Sequence, residues 1–138
     1  MGLILDSTVL VGAERRLLTV QETLDEIEGQ FGDQELALSV MSAAELVHGV
    51  WRAQSPQIRA RREEFVEEVF ARLPVRPITL RMARLAGQID ARCRSRGVMI
   101  PTADLYIGVT ALDLDFKVLT SNIRHFSQIQ GLKVALFR

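Results

Sequence analysis

The chain has 138 residues, of which 48% are hydrophobic and 25% charged, and its formal net charge at pH 7 is zero. This length and composition predict one globular domain over residues 1–138 with its own hydrophobic core, and they exclude an intrinsically disordered chain. The single cysteine, Cys93, excludes an intramolecular disulfide and a cysteine-based zinc site. No apolar run approaches the roughly 20 residues that a membrane span needs.

The two parts of the chain carry opposite charge. Residues 1–50 hold nine acidic and two basic residues, a net charge of −7, whereas residues 51–138 hold eight acidic and fifteen basic residues, a net charge of +7. Fifteen of the seventeen basic residues are arginines. This asymmetry fits an acidic centre beside a basic surface, and an arginine-rich codon usage is the alternative explanation.

The first part of the chain predicts a buried strand followed by helices. Gly2–Leu5 is a short apolar run that ends at Asp6, which indicates a strand and is not typical of a secretory signal. The lack of a secretory-signal pattern at this start and the single cysteine together favour a cytoplasmic location. Ser7–Thr8 suits the start of a short helix. Thr19–Glu22 is a capping box that opens a second helix, and Gly32 is placed to end it.

The middle of the chain predicts a second strand and two more helices. Leu36–Val40 is apolar and indicates the strand. Ser42–Glu45 is a second capping-box pattern, which opens a helix through about Arg52. Ser55–Pro56 begins another helix with proline at the first helical position. Pro74–Pro77 then predicts a brief extended stretch, because the residue before a proline avoids the helical conformation.

The last part of the chain alternates helices and strands. Thr79 caps a helix that runs to about Arg96 and that Gly97 closes. The elements after it are a buried helix, a strand, a short helix and an edge strand: Leu105–Leu114, Lys117–Thr120, Asn122–Ser127 and Val134–Phe137. The alternation over the whole chain predicts an α/β fold, a three-layer α/β/α sandwich with a central, mostly parallel sheet.

Four polar side chains fall where the predicted strands end. Asp6 closes the first strand, Glu45 and Asp104 lie in first helical turns, and Asn122 follows the third strand. In open α/β sheets, ligands bind at the carboxyl ends of the strands. Carboxylate oxygens are the ligands of hard cations such as Mg²⁺ and Mn²⁺. We therefore predict a metal site formed by Asp6, Glu45 and Asp104, with Asn122 beside it.

Each of these residues also has a purely structural explanation. Glu45 is the third residue of a capping box, Asp104 complements a helix dipole, and Asp6 and Asn122 suit helix N-caps. The stronger evidence for a functional site comes from these residues taken together. Asp6 closes an apolar strand and Asp104 opens an apolar helix, where an unpaired charge is costly.

The other candidate residues carry weaker signals. His48 and His125 have no metal-binding spacing and are more typical of ordinary, partly buried histidines. Ser7 and Thr120 are hydroxyl neighbours of the predicted site. Trp51 is predicted to lie in the core or at an interface. A nucleophile elbow and a glycine-rich phosphate loop are both missing from the sequence.

Four segments of the chain together resemble the signature blocks of PIN domains, and more narrowly the VapC-type toxins of bacterial toxin–antitoxin pairs. They occur in the family's order and span nearly the whole chain: Leu3–Leu10, Ser42–Gly49, Ile100–Leu112 and Val118–Phe126. The resemblance implies an Mg²⁺- or Mn²⁺-dependent endoribonuclease. It makes Asp6 and Asp104 metal ligands and Glu45 the residue that completes the acidic site. Asn122 stands where many PIN domains have a fourth acid, which favours one tightly held metal over two.

The same resemblance implies partners: a second copy of the chain, a cognate antitoxin and a structured RNA such as a transfer or ribosomal RNA. Two apolar helix faces either contact the antitoxin or pack on the sheet, namely Val20/Leu24/Ile27/Phe31 and Phe65/Val69/Leu73. Five arginines are candidate contacts to the RNA backbone: Arg81, Arg84, Arg92, Arg96 and Arg124. The alternatives are a metal-dependent DNA nuclease or phosphatase, and a non-catalytic RNA-binding module.

Overall fold

The computed structural model describes residues 1–138 and contains five strands, six α-helices and one short 3₁₀ helix, Phe126–Gln128. The strands are β1 Gly2–Leu5, β2 Glu35–Ser39, β3 Val75–Arg76, β4 Lys117–Thr120 and β5 Val134–Leu136. The helices are α1 Ser7–Arg15, α2 Val20–Phe31, α3 Val40–Trp51, α4 Pro56–Arg72, α5 Leu80–Ser95 and α6 Thr102–Leu114.

The sheet has the order β3-β2-β1-β4-β5, and every neighbouring pair is parallel. β1 lies at its centre, where Leu3 is in register with Leu36 of β2 and Lys117 of β4. Because all five strands run in one direction, their carboxyl ends share a single edge of the sheet. This confirms the predicted α/β fold with a parallel central sheet.

Alternate residues of β1 face two separate hydrophobic clusters, as the two-residue period of a strand requires. Leu3 and Leu5 belong to the cluster that contains α1, α2 and α4, whereas Ile4 belongs to the cluster that contains α5 and most of α6. The helices therefore cover both faces of the sheet and complete the three layers. No helix is both long enough and apolar enough to cross a membrane.

The two apolar helix faces pack inward. Val20 and Ile27 of α2 and Phe65 and Val69 of α4 are buried in the first cluster, and Leu73 joins them there. Leu24 and Phe31 are half-buried against the same cluster. Of the two alternatives, packing on the sheet is the one that the structure shows.

The predicted capping box at Ser42–Glu45 is wrong. α3 begins earlier, at Val40, and its N-cap is Ser39, whose side chain accepts a hydrogen bond from the backbone N–H of Met41. β2 thus passes directly into α3. Ser42 lies inside the helix, where its hydroxyl donates to the carbonyl of Leu5 at 3.3 Å.

The last two local predictions have different outcomes. The extended stretch predicted at Pro74–Pro77 is confirmed, and within it Val75–Arg76 form the two-residue strand β3, which pairs with the end of β2. The predicted helix Asn122–Ser127 is wrong, because only the 3₁₀ turn at Phe126–Gln128 forms there. A local turn overrides the helical propensity of this short segment.

Several helix ends follow the sequence signals. Thr19 accepts the N–H of Glu22 at 3.0 Å, and the Glu22 side chain accepts the N–H of Thr19 at 2.8 Å, so this capping box is confirmed. Gly32 and Gly97 follow α2 and α5 with φ angles of 78° and 76°, a conformation that favours glycine.

Replacing Thr19 with alanine removes the side-chain acceptor of this cap. We expect Thr19→Ala to lower the free energy of unfolding by about 1 kcal/mol, measured by urea denaturation. The exposed Thr102→Ala is the control, because Thr102 begins α6 without a capping bond. An equal loss in both variants would contradict the capping role.

Candidate active site

Asp6 follows the central strand directly and is only 4% exposed. Its backbone N–H donates to the carbonyl of Leu119 at 2.8 Å, which extends the pairing of β1 with β4 by one residue. Its Oδ2 accepts hydrogen bonds from the hydroxyls of Thr8 and Thr120, both at 2.8 Å. Although Asp6 precedes α1, its side chain makes no capping bond, so the N-cap explanation does not account for this carboxylate.

The environment of Asp6 disfavours its negative charge. Burial raises the pKa of the Asp6 carboxyl group, and the charge of Asp104 raises it further. The hydroxyls of Thr8 and Thr120 act in the opposite direction, because they donate to the ionised form. Thr120 was predicted as a neighbour of the site but Thr8 was not, since hydroxyls after a strand are common and carry no distinguishing signal.

Glu45 reaches the same edge of the sheet from α3. Its Oε1 accepts the Ser7 hydroxyl at 3.0 Å, while the bond from Ser42 to the Leu5 carbonyl fixes the start of the helix against β1. Burial raises the pKa of Glu45, and the charges of Asp6 and Asp104 raise it further. With the capping box absent, Glu45 has no capping role and contacts a residue adjacent to Asp6.

Asp104 lies in the first turn of α6 and bonds to His125. The His125 Nδ1 is 2.7 Å from Asp104 Oδ2. Because an ionised carboxylate only accepts hydrogen bonds, Nδ1 carries the hydrogen in this contact. The two residues are 21 positions apart, so no local spacing revealed the pair, and the interpretation of His125 as an ordinary histidine missed it.

Asn122 lies at the rim and is exposed. Its Oδ1 accepts the backbone N–H of Arg124 at 3.1 Å, so the side-chain oxygen caps a local turn. Its backbone N–H donates to Thr120 Oγ1 at 3.0 Å. Since the Thr120 hydroxyl is also bonded to Asp6, Asn122 is connected to the buried carboxylate through one residue.

The carboxylates of Asp6, Glu45 and Asp104 are thus close enough to act on one another's charge. No three His, Cys, Asp or Glu side chains of the chain converge into a ready-made chelate. This arrangement fits Mg²⁺, which keeps several waters and takes only one or two protein carboxylates. A divalent cation would bind these hard oxygen donors and would neutralise the repulsion between their like charges.

Two residues named from the sequence lie away from this edge. Arg81 forms a two-pronged ion pair with Asp113 near the end of α6, at 2.8 and 3.1 Å, opposite to the end that carries Asp104. Trp51 is 66% exposed and stacks under the guanidinium of Arg59, 5.1 Å from the ring centre. A core position for Trp51 is therefore wrong.

Comparison with known proteins assigns this fold to a family. The family model of the PIN domain matches residues 3–132, so the chain belongs to the PIN domain family. It is 33% identical over 131 residues to Ribonuclease VapC10 of Mycobacterium tuberculosis, covering 95% of this chain and 90% of the relative. It is 26% identical over 134 residues to Ribonuclease VapC1 of Rickettsia felis, covering 97% and 95%.

Solved structures show the same fold. The chain superposes on a chain of VapBC2 from Rickettsia felis, bound to a DNA fragment from their promoter, with a TM-score of 0.85, 20% identity and complete coverage of both chains. A DNA-bound VapBC from Salmonella typhimurium gives 0.84 at 22% identity, covering 100% of this chain and 99% of that one. The three-layer architecture is therefore shared along the whole chain.

Neutralising Asp6 is expected to stabilise the metal-free protein. Asn keeps an oxygen acceptor for Thr8 and Thr120 but removes a buried charge. Because the folded state raises the pKa of Asp6, its ionised form destabilises the fold above that pKa, and the penalty vanishes below the unfolded value of about 3.9. In chelator at pH 7, Asp6→Asn should raise Tm by about 3 °C, and the gain should shrink toward pH 4.

The exposed Asp33→Asn is the matched control for this melting experiment, because it removes the same charge outside the site. A Tm of Asp6→Asn at or below that of the unmodified chain at pH 7 would contradict the electrostatic penalty at Asp6.

Proposed function

We propose that this chain is an Mg²⁺- or Mn²⁺-dependent endoribonuclease that acts as the toxin of a toxin–antitoxin pair. The observation that carries the proposal is the approach of three carboxylates at the carboxyl edge of the sheet, one of them 4% exposed and without a cationic partner. The relatives named Ribonuclease VapC support RNA as the substrate.

In this proposal, Asp6 and Asp104 hold the divalent cation. When bound, the ion polarises the phosphoryl oxygen and lowers the pKa of water. Glu45 accepts a hydrogen bond from the attacking water and orients it. Its own pKa is raised, which brings it closer to the range useful for accepting a proton. The water oxygen bonds to phosphorus as its proton passes to Glu45, the bond from phosphorus to the leaving oxygen breaks, and the leaving oxygen takes up a proton from solvent.

The remaining side chains hold this set in place. Ser7 donates to Glu45, and Thr8 and Thr120 donate to the same oxygen of Asp6. The Oδ1 of Asp6 accepts no side-chain hydrogen bond and is the oxygen that we propose for the cation. Asn122 adds no negative charge, and its side-chain oxygen serves the local turn. One tightly held ion is therefore the stoichiometry that we propose.

The proposed partners follow from the relatives. Structures of VapBC proteins and of a toxin–antitoxin complex from Klebsiella pneumoniae share this fold, which supports a cognate antitoxin for this chain. A Salmonella typhimurium relative, 25% identical over 120 residues, is named a tRNA(fMet)-specific endonuclease, which supports a structured RNA substrate. We place the activity in the cytoplasm, and the homodimer stays a prediction.

Removing the charge of Asp104 tests the proposed chemistry. We expect Asp104→Asn to lower Mg²⁺-dependent RNA cleavage at least about 100-fold, because it removes a charged ligand. The matched control is Asp113→Asn, which changes a carboxylate on the same helix at the end away from the site. Cleavage is measured on transfer RNA, on DNA and on a small phosphate ester, with Mg²⁺ and with chelator.

Unchanged RNA cleavage by Asp104→Asn would overturn the metal-site assignment. Faster cleavage of DNA or of the ester than of RNA would favour a DNA nuclease or a phosphatase. RNA binding without cleavage and without Mn²⁺ binding in calorimetry would favour a non-catalytic module.

His125 is proposed as a positioning residue for Asp104. Its hydrogen bond fixes one carboxylate oxygen, and such outer partners of metal ligands typically contribute 10–100-fold in metal affinity. We expect His125→Ala to weaken Mn²⁺ binding about 10-fold in calorimetry. His125→Asn, whose amide N–H lies near the position of Nδ1, should recover part of that loss. Equal Mn²⁺ affinity in His125→Ala and the unmodified chain would exclude this role.

A further inference from the structure

The arginines of α5 differ in whether a carboxylate neutralises them. Arg81 is paired with Asp113 at 2.8 Å and Arg94 with Asp90 at 2.9 Å. Arg84 in α5, Arg92 in α5 and Arg96 at its C-cap are exposed and form no salt bridge, and of these Arg92 and Arg96 lie one turn apart and border the same cavity. Their charges are therefore available to a ligand, whereas those of Arg81 and Arg94 are largely satisfied within the chain.

Arg92 and Arg96 border a cavity of about 340 Å³ between α5 and the segment after β4. Gln128 and Gln130 line the opposite side, and Cys93 lies in the floor, with its Sγ 4.0 Å from the Gln128 carbonyl. None of the lining residues is acidic. The polar side chains of this cavity, which we name the arginine groove, offer two guanidinium groups and two amides.

Within the arginine groove, Arg92 and Arg96 lie at the end of α5 that is nearer to the carboxylates, whereas Leu85 and Leu112 extend the groove toward the other end of the helix. The ion pair between Arg81 and Asp113 joins the start of α5 to the end of α6, so the last turn of α5 lies toward the first turn of α6, which carries Asp104. Gln128 ends the 3₁₀ helix that follows His125, the partner of Asp104. Arg124, also exposed and without a salt bridge, lies on the segment between the groove and Asn122.

We infer that the arginine groove binds the phosphodiester backbone of the RNA strand whose scissile phosphate lies at Asp6, Glu45 and Asp104. This inference rests on the proposed ribonuclease function. Arginine offers planar, paired donors that match phosphate oxygens. Contacts of this kind fix the position of a nucleic acid without reading its sequence. The groove thus separates strand binding from the acidic centre, where the backbone would otherwise meet repulsion.

The test compares two double variants that each remove two positive charges from α5 and its C-cap. Arg92→Gln with Arg96→Gln changes the groove, and Arg81→Gln with Arg94→Gln changes the paired arginines. Binding of a fluorescein-labelled 20-nucleotide single-stranded RNA is measured by anisotropy in chelator, which prevents cleavage, over a range of salt concentrations. Far-UV circular dichroism and thermal melting verify that both double variants, whose substituted residues are exposed, remain folded.

The groove variant should lose two phosphate contacts. We expect its affinity to fall about 25-fold at 0.1 M salt, and the slope of log K against log salt to become shallower by about 1.4. The control variant should bind within about 2-fold of the unmodified chain. Equal losses in both variants, or an unchanged salt slope in the groove variant, would overturn the inference. So would intact RNA binding by a groove variant that no longer captures its antitoxin.

A cleavage assay with Mg²⁺ separates this inference from the function on which it rests. If the unmodified chain binds RNA through Arg92 and Arg96 but does not cleave it, RNA binding by the groove is supported and the ribonuclease proposal fails. If it cleaves RNA and the groove variant keeps the same KM, the ribonuclease stands and the groove fails. A raised KM with little change in kcat at saturating RNA supports both.

Discussion

The pairing of β1 with β2 on one side and β4 on the other determines where the candidate active site is located. Both neighbours are parallel to β1, so the central strand delivers Asp6 to an edge at which the other strands also end. The backbone N–H of Asp6 still belongs to the ladder through Leu119. The carboxylate is consequently held in a buried position by the sheet itself, and the helices that bring Glu45 and Asp104 start from the same edge.

This position has an energetic cost that a cation would reverse. Burial and the neighbouring acids raise the pKa of both Asp6 and Glu45, so the ionised site opposes folding in the absence of metal. Hydroxyl donors from Ser7, Thr8 and Thr120 reduce the cost but supply no positive charge. A divalent ion bound by these carboxylates would turn the same repulsion into attraction and would link stability to metal binding.

Most of the fold could be predicted from the sequence because long periodic segments and caps agree with each other. Thr19, Ser55 and Thr79 all begin helices as expected. The errors are local: Ser39 replaces Ser42 as the cap of α3, and a 3₁₀ turn replaces the predicted helix Asn122–Ser127. In the site, strand ends indicated Asp6, Glu45 and Asp104. The bond of His125 to Asp104 could not be predicted, because it joins residues that only the folded chain brings together.

The most direct measurement is an anomalous difference map from crystals of the chain grown with Mn²⁺. If Asp6 and Asp104 are the metal ligands, the map contains one strong peak bounded by their carboxylates, with Glu45 beside it, at the carboxyl edge of β1. A map with no peak at this edge, or with its only ordered Mn²⁺ at other residues, would contradict the central claim that these carboxylates form a metal site.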